Sequence, residues 1–492
     1  MENSYVLSYD VGTGSVKTVI VDFKGNVVSV SNANYALLTP QAGWAEQAPD
    51  AYWSAVCVST KQALRQAGIS PAEIHGIAFG TQWKGIIPLD SQDQVLHNNI
   101  IWLDSRAGKQ ANKLNTKMNM NLFMGNDYWP KVMWVKEELP EIYQKTACFL
   151  EVNSFLKFKA TGKKAVDLTN NFIQTTDKNL QVFFDQILQA ADLDPNKFPP
   201  LVMTTEKIGD ITSKAAEEMG LQDGTPVFGG CGDIPAITIG SGCCEDDDAH
   251  IYLGSSGWMG TITKRGTTLD DFYLTFEKDK DIRLDGLKSA GMSFNWVIDQ
   301  FYHAEKETKK EEIYEFVNKE IKDVPPGSLN MIATPWIYGA FPPVPQTARS
   351  VFFNITNLHD RRHMVNAVLE GICYQMRWII EIYNTKIGKP IKSIRIVGGC
   401  ASSDHWMQMM ADILQIQVEV PENPFHAGAI GTAYCVFIGL GMVDGFKDAK
   451  RKIKVEKTFT PRKDYIKTYD TLFRVFKEIA PTMESAFNML NQ

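Results

Sequence analysis

The sequence predicts an α/β protein of two domains, each built around a β-sheet. The chain has 492 residues, which is too long for one small core at roughly 150 residues per domain. Runs with strand character alternate with helical runs along the chain, the pattern of α/β proteins. Both halves also open in the same way, with a strand, a turn rich in Gly, Ser and Thr, and a return strand. We interpret this as a weak internal repeat and infer a duplication.

The first half begins with a β-meander joined by tight turns. A helix with an apolar face follows and ends at a glycine, which often terminates helices. The elements predicted in this half are strands over 5–10, 16–22, 27–31 and 74–79 and helices over 50–68, 132–145 and 152–161.

The second half begins after an acidic cluster near residue 245. Residues 226–233 repeat the order of strand, glycines and Asp seen at the start of the chain, and a turn with acidic residues follows over 242–248. We therefore predict one domain over 1–245 and another over 246–492. The elements predicted in the second half are strands over 250–253, 258–263, 394–397 and 418–421 and helices over 294–304, 361–383, 404–414 and from 426 onward.

Composition excludes several classes of function. The chain has 50 Lys and Arg against 57 Asp and Glu, a net charge of −7, and no basic run interleaved with aromatics. A nucleic-acid partner is therefore not expected, because phosphate backbones need clustered positive charge. The longest uncharged apolar stretch, 427–443, is shorter than a span of about 20 residues and contains glycines, so a buried helix is favoured over a membrane segment.

The cysteines and the first residues indicate the compartment. The eight Cys are scattered without a C-x-x-C pair, as expected for reduced thiols in a cytosolic protein. Met1-Glu2-Asn3-Ser4 has neither a basic nor an apolar signal region, so a signal peptide is not predicted. We expect a cytoplasmic protein without a membrane partner.

Three glycine-rich turns indicate a nucleotide site. They lie over Asp10–Lys17, Gly254–Gly257 and Gly398–Ser403, where backbone N–H groups can approach an anion and hydroxyls add donors. None matches a Walker A motif or a Rossmann fingerprint. Each alone is more often a plain tight turn, but three in one chain favour bound phosphates.

Two aspartates could carry the chemistry. Asp10 ends a strand beside a hydroxyl-rich turn, where it could hold Mg²⁺ or simply cap the turn. Asp233 follows three glycines and a cysteine and precedes an apolar run. It could act as a general base toward an attacking hydroxyl or as a helix N-cap. The spacing leaves both alternatives open at both positions.

Aromatic and polar residues occur together in three further segments, 43–47, 82–85 and 102–106. Proteins bind sugars with aromatic rings against C–H faces and polar groups on hydroxyls, although half-buried tryptophans at strand ends would give the same pattern. His359 and His363 have the spacing of metal ligands on one helical face. Without a nearby acidic residue or thiol to complete a zinc set, a solvated helix start is favoured there.

The ordered set of motifs resembles the FGGY carbohydrate kinases, and most closely their xylulose-kinase branch. The resemblance runs nearly end to end. The matching segments are the first phosphate loop over 10–17, the G-W-x-E-Q segment over 43–47, the W-x-D-x-R motif over 102–106, the catalytic Asp at Asp233, the second phosphate loop over 253–257, the nucleotide contacts at Gly291 and Asn295-Trp296, and the adenosine motif over 398–403.

This resemblance implies a two-domain actin/Hsp70/RNase-H-like ATPase fold with a central cleft, and a kinase that uses ATP and Mg²⁺. It implies that Asp233 is the catalytic base and that Asp10 and Asp233 serve the metal. The residues implied to bind the sugar are Trp44, Gln82, Trp83, Lys84, Asp104 and Arg106. Those implied to bind the nucleotide are Gly12, Thr13, Ser15, Lys17, Gly254, Ser255, Gly291, Asn295, Gly398, Gly399, Cys400, Ala401 and Ser403.

One departure from the family pattern bears on the substrate. Xylulose kinases usually read Q-M-H-G where this chain has Gln82-Trp83-Lys84-Gly85. If Lys84 points into the pocket, its ammonium favours acceptors and would admit a carboxylate; alternatively it extends to solvent.

The expected reaction is phosphorylation of a ketopentose such as D-xylulose. The alternatives are another pentulose, a polyol such as glycerol or erythritol, an aldonate such as gluconate, a catalytically dead kinase, and a non-enzymatic ATP-gated module. Related kinases are often dimers, so a homodimer is also expected.

Overall fold

The computed structural model describes residues 4–170, 180–266 and 272–491. The chain divides into two compact units. Unit 1 comprises Met1–Asp247, Ile262–Arg283 and His426–Ile453, and unit 2 comprises Asp248–Thr261, Leu284–Phe425 and Lys454–Gln492. The predicted boundary after residue 245 lies close to the first of these divisions. Two later segments nevertheless belong to unit 1, so a single cut does not separate the units, and the two domains over 1–245 and 246–492 stay a prediction.

The elements up to residue 245 are mainly short strands and helices. The strands are β1 (Tyr5–Val11), β2 (Ser15–Asp22), β3 (Val27–Asn34), β4 (Glu46–Gln47), β5 (Ile74–Thr81), β6 (Ile87–Leu89), β7 (Asn99–Ile100), β8 (Cys148–Leu150), β9 (Val166–Asp167), β10 (Leu201–Val202), β11 (Lys207–Asp210), β12 (Pro226–Phe228) and β13 (Cys231–Gly232). The helices are α1 (Pro49–Ala67), α2 (Gly108–Met118), α3 (Tyr128–Glu138), α4 (Pro140–Lys145), α5 (Val152–Thr161), α6 (Leu180–Ala191), α7 (Ser213–Met219) and α8 (Asp233–Gly240).

Longer helices appear after residue 245. The strands there are β14 (Ala249–Leu253), β15 (Gly257–Lys264), β16 (Phe272–Glu277), β17 (Lys280–Leu287), β18 (Ile332–Ala333), β19 (Phe352–Phe353), β20 (Ser393–Val397), β21 (Gln417–Pro421) and β22 (Val455–Phe459). The helices are α9 (Gly291–Phe301), α10 (His303–Lys309), α11 (Ile313–Ile321), α12 (Arg361–Ile387), α13 (Asp404–Leu414), α14 (Ala427–Gly439), α15 (Lys447–Lys452) and α16 (Ile466–Leu490).

The main sheet of unit 1 has the strand order β11-β12-β5-β1-β2-β3, with β13 also paired to β5. Strands β1, β2 and β3 form an antiparallel meander, as predicted, while β5 runs parallel to β1 and β12 parallel to β5. Helix α1 packs against β2 and β3, and α14 packs against β1 and β5. Parallel strands place their carboxyl ends at one edge, so β1, β5 and β13 deliver their final residues to the same side of the sheet.

The sheet of unit 2 includes the strand order β15-β14-β20-β21-β22. Strand β15 is antiparallel to β14, β20 is parallel to β14, and β21 is parallel to β20. A hairpin followed by parallel strands therefore occurs in both units. This confirms the predicted opening of each half, a strand, a turn and a return strand.

Helix boundaries follow local sequence signals. Helix α1 ends at Gly68, whose φ is +66°, and α12 begins at the predicted Arg361 with Asp360 as its N-cap. The prediction of one helix over 132–145 was wrong. The helical conformation is interrupted at Leu139, because Pro140 supplies no backbone N–H to continue α3 and instead begins α4.

The predicted buried helix near residue 427 is confirmed as α14, most of whose residues are buried. Among the helices of the described residues, none is long and apolar enough to span a membrane. His359 and His363 flank the capping residue Asp360 at the start of α12, and His363 Nδ1 lies 2.8 Å from its carboxylate. Within the described ranges there is no group of three or more metal-ligating side chains.

Candidate active site

The β1–β2 hairpin of unit 1 presents a carboxylate and an ammonium beside its turn. Asp10 and Lys17 are opposite each other in the strand register, and Lys17 Nζ lies 3.8 Å from Asp10 Oδ2. The Asp10 side chain keeps 30% of its surface exposed. Burial raises its pKa, and the charge of Lys17 opposes that shift. Asp10 thus has an accessible carboxylate in surroundings that would favour a neutralising cation.

The turn itself is held by side chains from other segments. The Tyr35 hydroxyl donates to the carbonyl oxygens of Gly12 and Ser15. Trp102 Nε1 donates to Thr13 Oγ1 over 2.9 Å. The Thr13 hydroxyl keeps its own proton for donation, since a hydroxyl both accepts and donates. A tryptophan of the predicted sugar-binding motif therefore fixes a residue of the predicted phosphate loop.

The Arg106 guanidinium is buried between two carboxylates and an aromatic ring. Its Nη2 is 2.7 Å from Asp104 Oδ2 and 2.8 Å from Glu46 Oε1, and its guanidinium carbon is 3.6 Å from the centre of the Trp44 ring. Asp104 has no exposed surface, and it also accepts the Ala45 N–H over 2.6 Å. Arg106 Nη1 is buried and has no hydrogen-bond partner in the described part of the chain. The free donor of this cluster is thus on Arg106, while Asp104 is occupied by protein groups.

Gln82 and Lys84 follow β5 at the same edge of the sheet. Gln82 Nε2 donates to Gln47 Oε1 over 2.8 Å, while its buried Oε1 has no partner among the described residues. Lys84 has a φ of +59°. Its side chain lies over the Trp83 ring at 4.3 Å.

Lys84 does not reach solvent, so the alternative of an outward lysine was wrong. Its Nζ lies 2.6 Å from Asp127 Oδ1, and both side chains are at most 6% exposed. The carbonyl oxygen of Lys84 in turn accepts a hydrogen bond from Lys131. Burial lowers the pKa of Lys131 to about 7, with partial compensation from Asp104 and Asp127. No local pattern predicts this pairing, because Lys84 and Asp127 are more than 40 positions apart in the chain.

Asp233 is the first residue of α8 and follows β13, a neighbour of β5. Burial raises the pKa of its carboxyl to about 7, and the charge of Asp10 adds to the shift. The N-cap alternative was wrong, because Gly232 occupies that position and no side chain caps the helix. Asp233 Oδ1 accepts instead from the Ile234 N–H over 2.8 Å. A carboxyl group with a pKa near neutrality is suited to accept and release a proton.

The predicted nucleotide residues of unit 2 converge from three segments. The carbonyl oxygen of Gly254 accepts the Gly291 N–H over 2.8 Å, and that of Ser255 accepts the N–H groups on either side of Gly291. Cys400 Sγ lies 3.8 Å from the Gly254 carbonyl oxygen. A Cβ at position 291 would come within 2.6 Å of that oxygen, so this approach requires glycine.

The adenosine motif begins where β20 ends. Gly398 has a φ of +101°, and a Cβ there would lie 2.5 Å from the Leu253 carbonyl oxygen. Gly399 differs, because its Cβ would meet only the Phe425 ring, at 3.5 Å. Ala401 is 2% exposed, so its side chain supports the turn from inside. Gly399 is therefore the position at which this turn has free space.

Two predicted nucleotide residues are engaged by protein partners. Ser403 Oγ accepts the Trp406 N–H over 3.3 Å, which caps α13, and donates to Asn318 Oδ1 over 3.0 Å. Asn295 Oδ1 accepts from the Tyr314 hydroxyl over 2.8 Å. Both side chains shape the loops, and any contact they make with a ligand uses their remaining polar groups.

Comparison with known proteins identifies the family. The N-terminal domain of the FGGY family of carbohydrate kinases matches residues 5–240, and the C-terminal domain of the same family matches residues 251–440. This chain belongs to that family. The expected family and enzyme class are thereby confirmed: the protein is a carbohydrate kinase.

Individual relatives differ in the substrate that they name. A xylulose kinase of Bacillus subtilis (strain 168) is 26% identical over 494 residues, which cover 96% of each chain. A gluconokinase of Bacillus licheniformis is 27% identical over 99% of this chain and 98% of its own. Among solved structures, a ligand-bound xylulose kinase from Lactobacillus acidophilus has a TM-score of 0.85 at 22% identity, and the match covers 99% of this chain and 100% of the other. The structural match confirms the predicted kinase fold class.

Sequence reasoning missed the residues that hold the segment before Asp233. Asn153 and Lys157 reach it from α5, and Thr169 reaches it from the turn after β9. Asp167 of β9 in turn accepts from Thr169. One signal was available: Asn153 and Lys157 are four residues apart and therefore share a face of a helix that is otherwise largely apolar.

A cavity of about 290 Å³ also lies in unit 1. Its lining is largely aromatic and proline-rich, with Trp129, Phe184 and Phe198 among its residues. None of the six predicted sugar-binding residues belongs to this lining. The cavity and the Arg106–Lys84 region are therefore different features of unit 1.

Proposed function

We propose that this kinase transfers a phosphoryl group from ATP to a hydroxyl of a neutral ketopentose such as D-xylulose. The observation that carries the substrate class is the buried ion pair between Lys84 and Asp127, 2.6 Å apart. The xylulose kinases among the relatives support the same class.

Charge balance around the proposed sugar site favours a neutral ligand. Lys84 is paired with Asp127, and Arg106 is paired with both Asp104 and Glu46. A sugar carboxylate would have to compete with these buried carboxylates for a cation, whereas hydroxyl groups need only single donors and acceptors. Arg106 Nη1 and Gln82 Oε1 are buried and have no hydrogen-bond partner among the described residues, so they would supply a donor and an acceptor of that kind. The Trp44 ring would add an apolar surface. Asp104 acts here by holding Arg106.

Asp233 is the proposed catalytic base. Its pKa near 7 leaves enough carboxylate at neutral pH to accept the proton of the attacking hydroxyl. Asp10 and Asp233 are also the residues that would hold Mg²⁺, since the electrostatic repulsion between them would be relieved by a divalent cation. When bound, Mg²⁺ supplies charge neutralisation for the transferring phosphoryl group.

Each unit contains residues that we propose as nucleotide contacts. The turns at Gly254 and Gly398 present backbone groups, and Gly399 leaves open space for the adenosine. In unit 1 the Thr13 hydroxyl and the Lys17 ammonium would contact phosphate oxygens. Phosphoryl transfer depends chiefly on such positioning and charge neutralisation.

Gluconate is the second candidate substrate. The gluconokinase of Bacillus licheniformis matches this chain at 27% identity over nearly its full length. Lys84 would serve this substrate if its ammonium left Asp127 for the sugar carboxylate.

The test is a coupled assay of ADP formation with xylulose, other pentuloses, polyols and gluconate. The proposal expects the highest kcat/KM with a ketopentose. In Asp127→Asn the Lys84 ammonium loses its counter-charge, so the ratio of gluconate to xylulose kcat/KM should rise by about 10-fold. The Asn side chain keeps an oxygen for the Met124 N–H that Asp127 Oδ2 accepts. Gluconate as the best substrate of the wild-type enzyme would overturn the neutral-sugar proposal.

The matched control is Asp281→Asn. Asp281 forms a buried ion pair of similar geometry with Arg265, 2.7 Å apart, in the same unit. This pair contains none of the proposed sugar-binding residues, so the substrate ratio should stay unchanged even if the stability falls.

We also propose that the enzyme is cytoplasmic and acts as a homodimer. All eight cysteines are free thiols, as expected in a reducing compartment. Light scattering of the purified protein tests the dimer, and a monomeric mass would contradict it.

A further inference from the structure

The segment that leads into Asp233 is held by buried polar side chains. Asn153 and Lys157 come from α5, and Asp167 and Thr169 come from β9 and the turn after it. All four are at most 5% exposed. Buried polar and charged groups are costly unless they are paired, so their arrangement beneath one short segment indicates a specific role.

Three of them contact the backbone of 229–232, and the fourth, Asp167, contacts Thr169. Lys157 Nζ donates to the Gly229 carbonyl oxygen over 3.0 Å, and Asn153 Nδ2 donates to the Cys231 carbonyl oxygen over 3.5 Å. Asn153 Nδ2 also donates to the Phe79 carbonyl oxygen of β5 over 2.5 Å. The Gly232 N–H donates to Thr169 Oγ1 over 2.8 Å. The segment is thus fixed by donors and an acceptor from two separate elements.

Thr169 is itself held in one orientation. Its hydroxyl donates to Asp167 Oδ1 over 2.6 Å, so the oxygen presents a lone pair to the Gly232 N–H. Asp167 Oδ2 accepts from Asn170 Nδ2 over 2.6 Å and lies 4.0 Å from Lys157 Nζ. A carboxylate with this many partners is a rigid support for the hydroxyl.

The need for such support follows from the sequence of the segment. Three of the four residues over 229–232 are glycines, which have the greatest backbone freedom. Asp233 follows directly, and its carboxylate must lie within hydrogen-bond reach of the attacking hydroxyl. A displacement of about 1 Å can cost on the order of 100-fold in rate.

We propose that Thr169, oriented by Asp167, is a positioning residue that fixes the Gly232 backbone and so directs the Asp233 carboxylate at the substrate hydroxyl. This inference rests on the proposed function, in which Asp233 is the base. It adds a hydroxyl and a carboxylate that do not touch the substrate and act only through the backbone before Asp233.

The test compares Thr169→Val with Thr169→Ser. Valine has the same shape as threonine but cannot accept the Gly232 N–H or donate to Asp167. We expect kcat to fall on the order of 10- to 100-fold, with the KM values for sugar and ATP changed less than about 2-fold. Serine keeps the hydroxyl and should restore kcat to within about 3-fold of the wild type.

Thr146→Val is the matched control. Thr146 is also buried in unit 1, and its hydroxyl donates to the Ile142 carbonyl oxygen over 2.7 Å. Within the described part of the chain, its hydrogen bonds go to Ile142, Tyr143 and Lys197 and none goes to 229–233. This variant should lose a similar amount of thermal stability and keep its kcat, which separates positioning from general destabilisation.

A double variant distinguishes this inference from the proposed function. If Thr169 acts through Asp233, adding Thr169→Val to Asp233→Asn should reduce kcat no further. Wild-type activity in Asp233→Asn would overturn the proposed base itself. A silent Thr169→Val, or one that lowers kcat only as much as Thr146→Val, would overturn the positioning role alone. If Thr169→Val does not fold, Thr169→Ala removes the same hydroxyl without adding atoms and is judged by the same criteria.

Discussion

The opening hairpins of the two units share a frame and differ in chemistry. In unit 1 the pair next to the hairpin end is Asp10 and Lys17, and in unit 2 the pair at the corresponding register position is Tyr252 and Trp258. The first pair carries opposite charges 3.8 Å apart, while the second consists of stacked rings with centroids 5.3 Å apart. The strand order therefore repeats, while the side chains at the corresponding register position differ in chemistry between the two units.

The turns of the two hairpins also differ in the space around their glycines. A Cβ on Gly14 would meet no atom within 4 Å, and one on Gly12 only a carbonyl oxygen at 3.8 Å. In unit 2 a Cβ on Gly254 would overlap the Tyr252 ring, and one on Gly291 would overlap the Gly254 backbone. Unit 1 thus keeps its turn open, whereas unit 2 uses glycine to pack loops closely. Substitutions in the two units should therefore have different effects on kcat and on the KM values.

The largest expected effect concerns unit 1, which contains Asp233 as well as the charged pair Asp10 and Lys17. Asp233→Asn keeps the shape of the side chain but removes the proton acceptor, so kcat should fall by about 100-fold or more. The KM for ATP should change much less than kcat, because Asp10 still serves the metal and the nucleotide residues of unit 2 are unaltered. Steady-state kinetics measure both constants. Asp192→Asn, an exposed aspartate in an ion pair with Lys136, is the control, and turnover near that of the wild type in Asp233→Asn would remove it as the base.

The next effect sharpens the assignment of nucleotide to unit 2. Gly399 has open space beyond the Phe425 ring and no positive φ, so Gly399→Val should fold and place its methyl groups where the adenosine is proposed. We expect the KM for ATP to rise by about 10-fold while the KM for sugar stays within about 2-fold. A rise confined to the sugar KM would show that the adenosine site is misplaced.

A smaller effect concerns Lys84 in unit 1. Histidine tolerates the positive φ at this position better than most residues and reduces the charge that faces Asp127. Lys84→His should raise the ratio of xylulose to gluconate kcat/KM by about 3-fold and leave the KM for ATP unchanged. Measuring both substrates with both proteins gives this ratio. An identical ratio in the two proteins would exclude Lys84 from substrate discrimination.

Local signals explain which parts of the fold the sequence could predict. The helix over 404–414 was predicted with its observed bounds, since Ser403 caps it and its apolar spacing is regular. The strands around Asp10 were equally clear from their β-branched runs. The interruption of the helix before Pro140 was also predictable, because proline lacks a backbone N–H. The prediction of one helix over 132–145 used only the helical spacing of apolar residues and therefore missed it.

The unpredicted parts depend on contacts between distant segments. Helix α14 was predicted correctly, but its place in unit 1 follows from packing against β1 and β5, two strands that lie far earlier in the chain. The Lys84–Asp127 pair and the Thr169 contact to Gly232 are likewise invisible to periodicity, because a buried polar residue has no local sign of its partner. The motif residues could be named from the sequence, whereas the groups that position them required coordinates.

The smallest effect contrasts the buried carboxyl of each unit. Asp233 in unit 1 and Glu370 in unit 2 both have a pKa raised to about 7, chiefly by burial. Glu370 accepts from the Gly327 N–H over 2.7 Å and from the Ser328 hydroxyl over 2.8 Å, so its role is structural. Its folded-state pKa lies above the ordinary value of 4.5, so its contribution to stability is complete below about pH 4.5 and is lost as the pH rises through about 7.

Glu370→Gln should therefore change stability and leave the pH profile of kcat unaltered. The amide stays neutral, so the free energy of unfolding of the wild type should fall relative to that of Glu370→Gln between about pH 4.5 and pH 8. The fall is at most about 3.5 kcal/mol, from about 1.4 kcal/mol per pKa unit between 4.5 and about 7. Urea unfolding at several pH values measures the difference, and the other buried carboxyls cancel because both proteins contain them. Glu484→Gln, at an exposed position of α16, is the control, and its free energy of unfolding should change with pH in the same way as that of the wild type. If Glu370→Gln also ran parallel to it, Glu370 would be ionised in the folded protein throughout this range, and the similarity between the two buried carboxyls would be lost.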